Sequence, residues 1–435
     1  MNANTYLLFA LGMAIQPVAY GGSAGAFVLG VDGMDPVITE RMMKEGHLPN
    51  LAQIAEHGSF KSLGTTTPPQ SPVAWSTFIT GTDPGGHGLF DFIHRDPKTY
   101  QPISSATPPP GEPGATFQMF GYVMPLSMAA LPNNRSGTPF WDTLHSAGVD
   151  VEVYRIHGNY PTPDSKARVL AGMGTVDMRG GYGTYTWITD TPRPDQDKLK
   201  GDIQVVTVAD RDLDGSPDTA VTSIKGPPDI FHLKPGQIPG PKDYLTTPVT
   251  LHIDPETDTL LAEVGAEKHL LQEGEWSDWI PVNFSALPLH VADLEGRVQI
   301  YVKEIRPNLQ VYVSPVNIAP GNPAQVISSP ADFATDLYEI VGDYYTQGMP
   351  EETNALTDGL FTDDDYIQQV ARVQADTQEL LKVALTRFSR GDTTFFYLSD
   401  IDLQCHMLWR HGDPKYQDAP LHPANEPQIA ATHKH

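Results

Sequence analysis

The chain has 435 residues, 28 of them basic and 53 acidic, for a net charge of -25. That balance excludes binding to a nucleic-acid backbone, which needs basic surface, and leaves any anionic ligand to be held by local cations such as metal ions. Forty per cent apolar residues support a buried core in a chain long enough for two or three domains, and the single cysteine, Cys405, excludes an intrachain disulfide framework.

Residues 1–25 read as a leader or signal segment. Tyr6 to Ala19 is mostly apolar, and Gly21-Gly22-Ser23-Ala24-Gly25 offers small residues for processing, which points to a periplasmic or secreted protein. No Lys or Arg precedes Arg41, so the positive start of a signal peptide is missing and a cytoplasmic location stays open. Gln16 and Pro17 interrupt the apolar run, so no stable transmembrane anchor is expected. The glycine run precedes a strand instead of following one, which excludes a dinucleotide fingerprint.

Ala26 to Val31 is a short apolar run with the character of a buried parallel strand, and it delivers Asp32 at its C-terminal end, where open α/β sheets bind ligands. Pro36 to Glu56 has apolar residues at helical spacing and reads as two helices broken at Gly46-His47-Leu48-Pro49. Phe60 to Leu63 reads as a short strand. Ser71-Pro72 opens a helix that runs through Ile79 and closes at Gly81 and Asp83-Pro84-Gly85-Gly86. Ser71 is then either a plain helix cap or a hydroxyl set where the helix dipole favours an anion such as phosphate. His87 and His94 are either metal ligands or loop anchors. The apolar patch from Phe117 to Leu131 suits a substrate-side flap. A helix starts at Thr138 and a strand covers Val149 to Tyr154, ending at Arg155 and His157, which contact substrate phosphate or fix a loop. This rhythm of strand and helix predicts a doubly wound α/β domain over 26–197.

From 198 to 320 the pattern becomes short turn-separated strands: Asp202–Ala209, Val249–Ile253, Leu260–Val264, Trp279–Phe284, Arg297–Ile305 and Gln310–Val313. It predicts an inserted, mostly antiparallel β domain that caps the core. Asp210 to Gly215 resembles the start of a calcium loop, but Val221 stands where the twelfth-position Glu belongs, which favours a polar turn. The core resumes over 321–435 with helices at Phe333–Tyr344 and Asp363–Gly391 and a second buried strand at Thr394–Leu398. After that strand, Asp402 and His406 are four apart, so on a helical turn they face the same way and can grip one cation. Asp400 reads as a supporting or capping residue.

Four segments carry a family resemblance: VLGVDGMDP (28–36), LPNLAQIAEHGSF (48–60), TTPPQSPVAWSTFITGTDPGGHG (66–88) and YLSDIDLQCHMLWR (397–410). In this order they resemble the type I phosphodiesterase/nucleotide pyrophosphatase family of the alkaline phosphatase superfamily. The resemblance implies an alkaline-phosphatase-like sheet with helices on both faces. It implies Ser71 as catalytic nucleophile and two divalent metal ions, zinc with manganese or magnesium as alternatives. One ion falls to Asp32 and Ser71, the other to Asp402 and His406. It further implies hydrolysis of a small phosphate ester or diester through a phospho-serine intermediate.

The chain departs from the family pattern in places. Ser71 stands where animal members commonly have Thr, and their phosphate-binding Asn has no counterpart. Pro72 has no N–H, which leaves an oxyanion to Val73 N–H, the metals or another residue. The family's Asp-His pair is not found after the Asp402 region, and His422, His433 and His435 lie in a tail. The chain therefore reads as lacking the C-terminal part of the core, as a fragment or a degenerate member, with a catalytically impaired binding or structural protein as the alternative. A sulfatase would need Pro and Arg two and four residues after the modified residue, and Val73 and Trp75 occupy those positions. A phosphotransferase on the same scaffold is a further alternative.

Overall fold

The computed structural model describes residues 24–105, 116–119, 122–125, 133–210, 218–233, 239–240, 242–254, 257–287 and 293–411. The expected leader, most of the 117–131 patch, the calcium-like turn beyond Asp210, and His422, His433 and His435 lie outside these residues.

The chain opens with β1 (Ala26–Val31), α1 (Pro36–Lys44), α2 (Pro49–His57), α3 (Ser71–Thr80) and α4 (Pro84–His87). Asp35 caps α1 by accepting the Val37 and Ile38 N–H groups, both at 2.8 Å. The expected break at Gly46 to Pro49 separates α1 from α2. Phe60 to Leu63 forms no strand: both end residues are exposed, and no neighbouring strand is there to pair with them. Two hairpins follow, β2 (Ile93–Arg95) with β3 (Pro102–Ser104) and β4 (Thr116–Met119) with β5 (Tyr122–Pro125). Then come α5 (Phe140–Ser146), β6 (Val151–Ile156) and β7 (Arg168–Ala171).

The β-rich part holds β8 (Thr186–Thr189), β9 (Asp202–Val205), β10 (Thr219–Pro228), β11 (Tyr244–Asp254), β12 (Thr259–Val264), β13 (Glu267–Gln272), β14 (Ile280–Ser285), β15 (Asp293–Val298), β16 (Ile300–Glu304), β17 (Gln310–Val313) and β18 (Asn317–Ile318). It starts before the expected boundary at 198, because β8 is hydrogen-bonded to β9 and β17. The single strand expected over Arg297–Ile305 is two strands. At Gln299 the chain leaves the β14-β15-β18 sheet for the β16-β17-β8-β9 sheet, and Ser314 Oγ accepts the Gln299 N–H at 2.9 Å. The chain returns through β19 (Ser328–Ser329), α6 (Phe333–Val341), α7 (Thr353–Thr357), α8 (Asp363–Arg387), β20 (Thr393–Leu398) and α9 (Asp400–Leu408). Helices α6 and α8 end earlier than predicted, α6 at the positive-φ Gly342 and α8 where Phe388 leaves helical geometry.

The central sheet has the order β1-β20-β6-β7-β19. Its first four strands are parallel and β19 runs antiparallel to β7. Side chains alternate across it. Phe396 and Tyr154 face Phe333 of α6 and Leu380 and Ala384 of α8. Phe395, Tyr397 and Val153 face Ile79 of α3 and Trp141 of α5. Both faces are thus covered by helices, the arrangement a parallel sheet needs because neither side can meet water. The α/β fold with added antiparallel sheets agrees with the predicted fold class.

Candidate active site

Three parallel strands end on one edge and each brings polar groups there. The β1–β20 register pairs Val31 with Leu398, and the Asp32 N–H donates to the Leu398 carbonyl at 2.9 Å, one step beyond β1. Asp32 therefore sits beside the Ser399 turn that opens α9. Gly33 has φ +71°, and a Cβ built there would lie 2.6 Å from the Asp402 Cα. Only glycine lets the turn after β1 approach α9 this closely. Two carboxylates 370 positions apart are thereby brought together. Burial, then the Asp32 carboxylate, push the Asp402 carboxyl up from its ordinary range, and His406 pulls it partly back. His406 Nε2 lies 3.5 Å from Asp402 Oδ2 across one helical turn, with its side chain 71% exposed. The predicted helical Asp402–His406 pair is present in this form.

Asp32 is tightly held. Its Oδ2 accepts the Tyr397 hydroxyl at 2.6 Å and the Trp75 indole N–H at 3.1 Å, and its Oδ1 accepts the Gly33 N–H at 3.1 Å. Trp75 stands one turn after Ser71 on α3, so the two share a helix face about 6 Å apart along the axis. Gly30 permits this docking, since a Cβ there would meet the Trp75 ring at 2.8 Å. Ser71 is not the cap of α3: Gln70 is the N-cap, Ser71 is the first helical residue, and no side chain caps the helix. The half-buried Ser71 hydroxyl makes no hydrogen bond among the described residues. The N–H groups of Val73 and Ala74 both donate to the Gln70 carbonyl at 2.9 Å. The Val73 amide is therefore already engaged and not free to hold an oxyanion.

Strand β6 contributes His157. It is 3% exposed, packs against Phe92, and neither ring nitrogen has a hydrogen-bond partner. Burial lowers its pKa to about 4 against the opposing pull of Asp32, so the ring is neutral near pH 7, with one N–H to donate and one lone pair to offer. Arg155 lies inside β6 with φ +60°, buried, and its guanidinium donates to Thr377 Oγ1 of α8. It sits below the strand end and not at an open mouth. His87 is fully buried with both nitrogens in use. Its Nδ1 accepts the Leu89 N–H at 3.2 Å, so its proton is on Nε2, which faces Thr77 Oγ1 at 3.0 Å. His87 is a loop anchor. His94 lies on the exposed β2 with Nδ1 3.1 Å from Ser105 Oγ.

The chemistry of the donor set fits a divalent cation in kind, since Asp32 and Asp402 are like charges whose repulsion a cation would relieve. It falls short in number: among the described residues no group of three or more His, Cys, Asp or Glu is gathered closely enough to hold a metal ion.

Residues 26–242 match the family described as Type I phosphodiesterase / nucleotide pyrophosphatase. The chain belongs to this family. As a type I phosphodiesterase/nucleotide pyrophosphatase it falls in the alkaline phosphatase superfamily, among hydrolases that act on small phosphate esters and generally depend on divalent metal. No curated protein and no solved structure matches the chain. Among the described residues, no helix is long and apolar enough to cross a membrane.

Sequence reasoning missed the groups that hold this family member's Asp32. Trp75 carried a usable signal, since it lies four residues after Ser71 and so on the same face. Tyr397 shares a sheet face with Phe395 by the period of two, but nothing local marks its hydroxyl as the partner of Asp32. Glu351, read only as part of a turn, proves to be 3% exposed near Asp400 and Asp402, and no sequence signal announces that burial.

Proposed function

We propose that the chain hydrolyses phosphoric esters, with a small phosphate diester as the leading substrate class and Ser71 as nucleophile. The observation that carries this reading is the Trp75–Asp32 hydrogen bond, which ties the helix bearing Ser71 to the carboxylate that closes against Asp402. The Ser71 oxygen forms a bond to phosphorus as the bond from phosphorus to the leaving alcohol breaks, giving a phospho-serine. Water then breaks the Oγ–P bond, returns the hydroxyl proton and releases phosphate or a monoester. Asp32 and Ser71 would hold one divalent ion and Asp402 and His406 a second, zinc or in its place manganese or magnesium; the ions would favour ionisation of the hydroxyl and offset charge on the phosphoryl oxygens. Tyr397 and Trp75 fix the Asp32 carboxylate in one orientation. Neutral His157, buried with a free N–H, is suited to donate to a phosphoryl oxygen in place of the Val73 amide.

The test is hydrolysis of a chromogenic phosphodiester by the intact chain and by Ser71→Ala. We expect turnover to fall by about a thousandfold or more in the variant, with the fold retained, and acid quench of the wild type to trap phosphate on the Ser71 peptide. Turnover within about tenfold of wild type would remove Ser71 as nucleophile. The lack of a three-donor metal group favours one second reading, a member of the family that binds phosphate esters without turning them over. Elemental analysis separates the two, because two tightly held ions per chain would exclude that reading.

A further inference from the structure

A cavity of about 260 Å³ lies between α8 and the end of β20, next to the Asp32–Asp402 pair. Its walls include Glu351, Asp400, Gln374, Thr377, Val373 and Leu381. Glu351 is 3% exposed and neither of its carboxylate oxygens has a hydrogen-bond partner. Asp400 Oδ2 accepts the Gln374 amide at 3.2 Å, but its buried Oδ1 is also unpartnered. Three carboxylate oxygens thus border one cavity without a donor. Arg155 is the basic group that acts on Glu351, yet no ion pair joins it to Glu351 or Asp400 among the described residues, and it spends a guanidinium N–H on Thr377. One cation faces two carboxylates here, with Asp402 close behind them. Buried acceptors of this kind cost free energy until a donor or a cation reaches them.

The neighbouring residue shows that the polar burial is not general to this loop. Glu352 is equally buried, but its Oε1 accepts the Ala355 N–H at 3.0 Å and its Oε2 accepts the Tyr312 hydroxyl at 2.5 Å. Glu352 is a structural residue with its partners supplied. Glu351 has none and lines a space.

We propose that this cavity binds the protonated amine of a small organic molecule, with Glu351 and Asp400 as acceptors and Val373 and Leu381 against its carbon chain. A bare metal ion suits the cavity less. The described residues assemble no three-donor group, and the space is wide and partly apolar, which fits an alkylammonium. Resting on the hydrolase reading above, the inference names the substrate class: a phosphodiester one of whose alcohols carries an amino group.

Titration calorimetry of the intact, chelator-treated chain with ethanolamine tests the binding, with ethylene glycol as the uncharged control. We expect saturable binding of ethanolamine but not of ethylene glycol, weakened about tenfold or more in Glu351→Gln and in Asp400→Asn, and retained in Ser71→Ala. No saturable binding up to about 10 mM, or equal binding in wild type and both carboxylate variants, overturns the proposal. Because Ser71→Ala is expected to bind amine without turnover, loss of the hydrolase reading and loss of the amine site give different results. Binding with no hydrolysis would leave the amine site standing alone. Hydrolysis with no amine preference between an aminoethyl and an ethyl diester would remove the substrate assignment.

Discussion

The sheet β10-β11-β12-β13 and the carboxyl edge of the parallel sheet are built on opposite plans. In β11 and β12 every second residue is buried, and the buried ones are Leu245, Val249, Leu251, Ile253, Leu260, Ala262 and Val264. Their neighbours lie on adjacent strands of one meander, so local alternation decides what is inside. At the carboxyl edge, Asp32, Ser71, Trp75, His157, Glu351, Tyr397 and Asp402 come from distant parts of the chain. Several of these groups are polar and buried, and some are unpartnered. The first region is stabilised by apolar area removed from water. The second carries unmet polar groups that only a ligand or ion would satisfy.

Substitutions should separate the two plans. The largest effect on stability is expected for Leu251→Ala. Leu251 is fully buried opposite Ala220 and Ala262, and truncation should cost about 3 kcal/mol through lost transfer energy and the cavity left behind. Urea denaturation measures it, and turnover per folded molecule should be unchanged. A loss below about 1 kcal/mol would mean the sheet repacks, which would blunt the contrast.

Glu351→Gln should act in the opposite direction. Burial is the main cause that raises Glu351 to about 7 from 4.5, with Asp400 and Asp402 adding to it and Arg155 opposing. An acid whose pKa is raised by folding is protonated more readily in the folded state. Below about pH 4.5 folded and unfolded chains bind the same proton; stability then falls as pH rises towards about 7, and above that the full cost, on the order of 3 kcal/mol, is present. Gln removes this slope. In chelator-treated protein the variant should match wild type near about pH 4.5 and exceed it near about pH 8. Parallel stability curves across that range would show that Glu351 is already satisfied. Tyr397→Phe should have a smaller effect, a loss of about 2 kcal/mol, because it deletes a hydrogen bond to a carboxylate without creating a cavity. A loss under about 0.5 kcal/mol would show that Trp75 and Gly33 hold Asp32 without help.

The same contrast explains what could be read from the chain. The core strands at Ala26–Val31 and Thr393–Leu398 and the alternating strands near 249–264 were legible because burial follows a short period. The turn carboxylates Asp32 and Asp402 were legible because strand ends in α/β sheets face ligands and because Asp402 and His406 share a helix face. The Phe60–Leu63 strand failed since a strand needs a partner, and apolar content does not supply one. The Ser71 cap failed because Pro72 fits the first or second helical position equally well, which shifts the cap back to Gln70. Glu351 was beyond reach for a different reason. Glu351 and Glu352 are the same residue in the same turn, and only contacts with Tyr312 and with the start of α7 distinguish the satisfied one.

His406 gives the smallest effect on stability and bears most directly on the proposed chemistry. It is 71% exposed and its only ion pair is with Asp402 at 3.5 Å, so His406→Ala should change stability by less than about 0.5 kcal/mol. If His406 serves a metal, the same variant should lose zinc affinity by about tenfold or more in equilibrium dialysis. These two readouts separate its roles, because an exposed histidine contributes little to packing whether or not it is a ligand. Unchanged stability with lost zinc makes His406 part of the centre. Unchanged stability with unchanged zinc leaves Asp402 paired with Asp32 alone, and the cation they call for would then draw its remaining donors from elsewhere at the sheet edge, where His157 is buried with both nitrogens unpartnered.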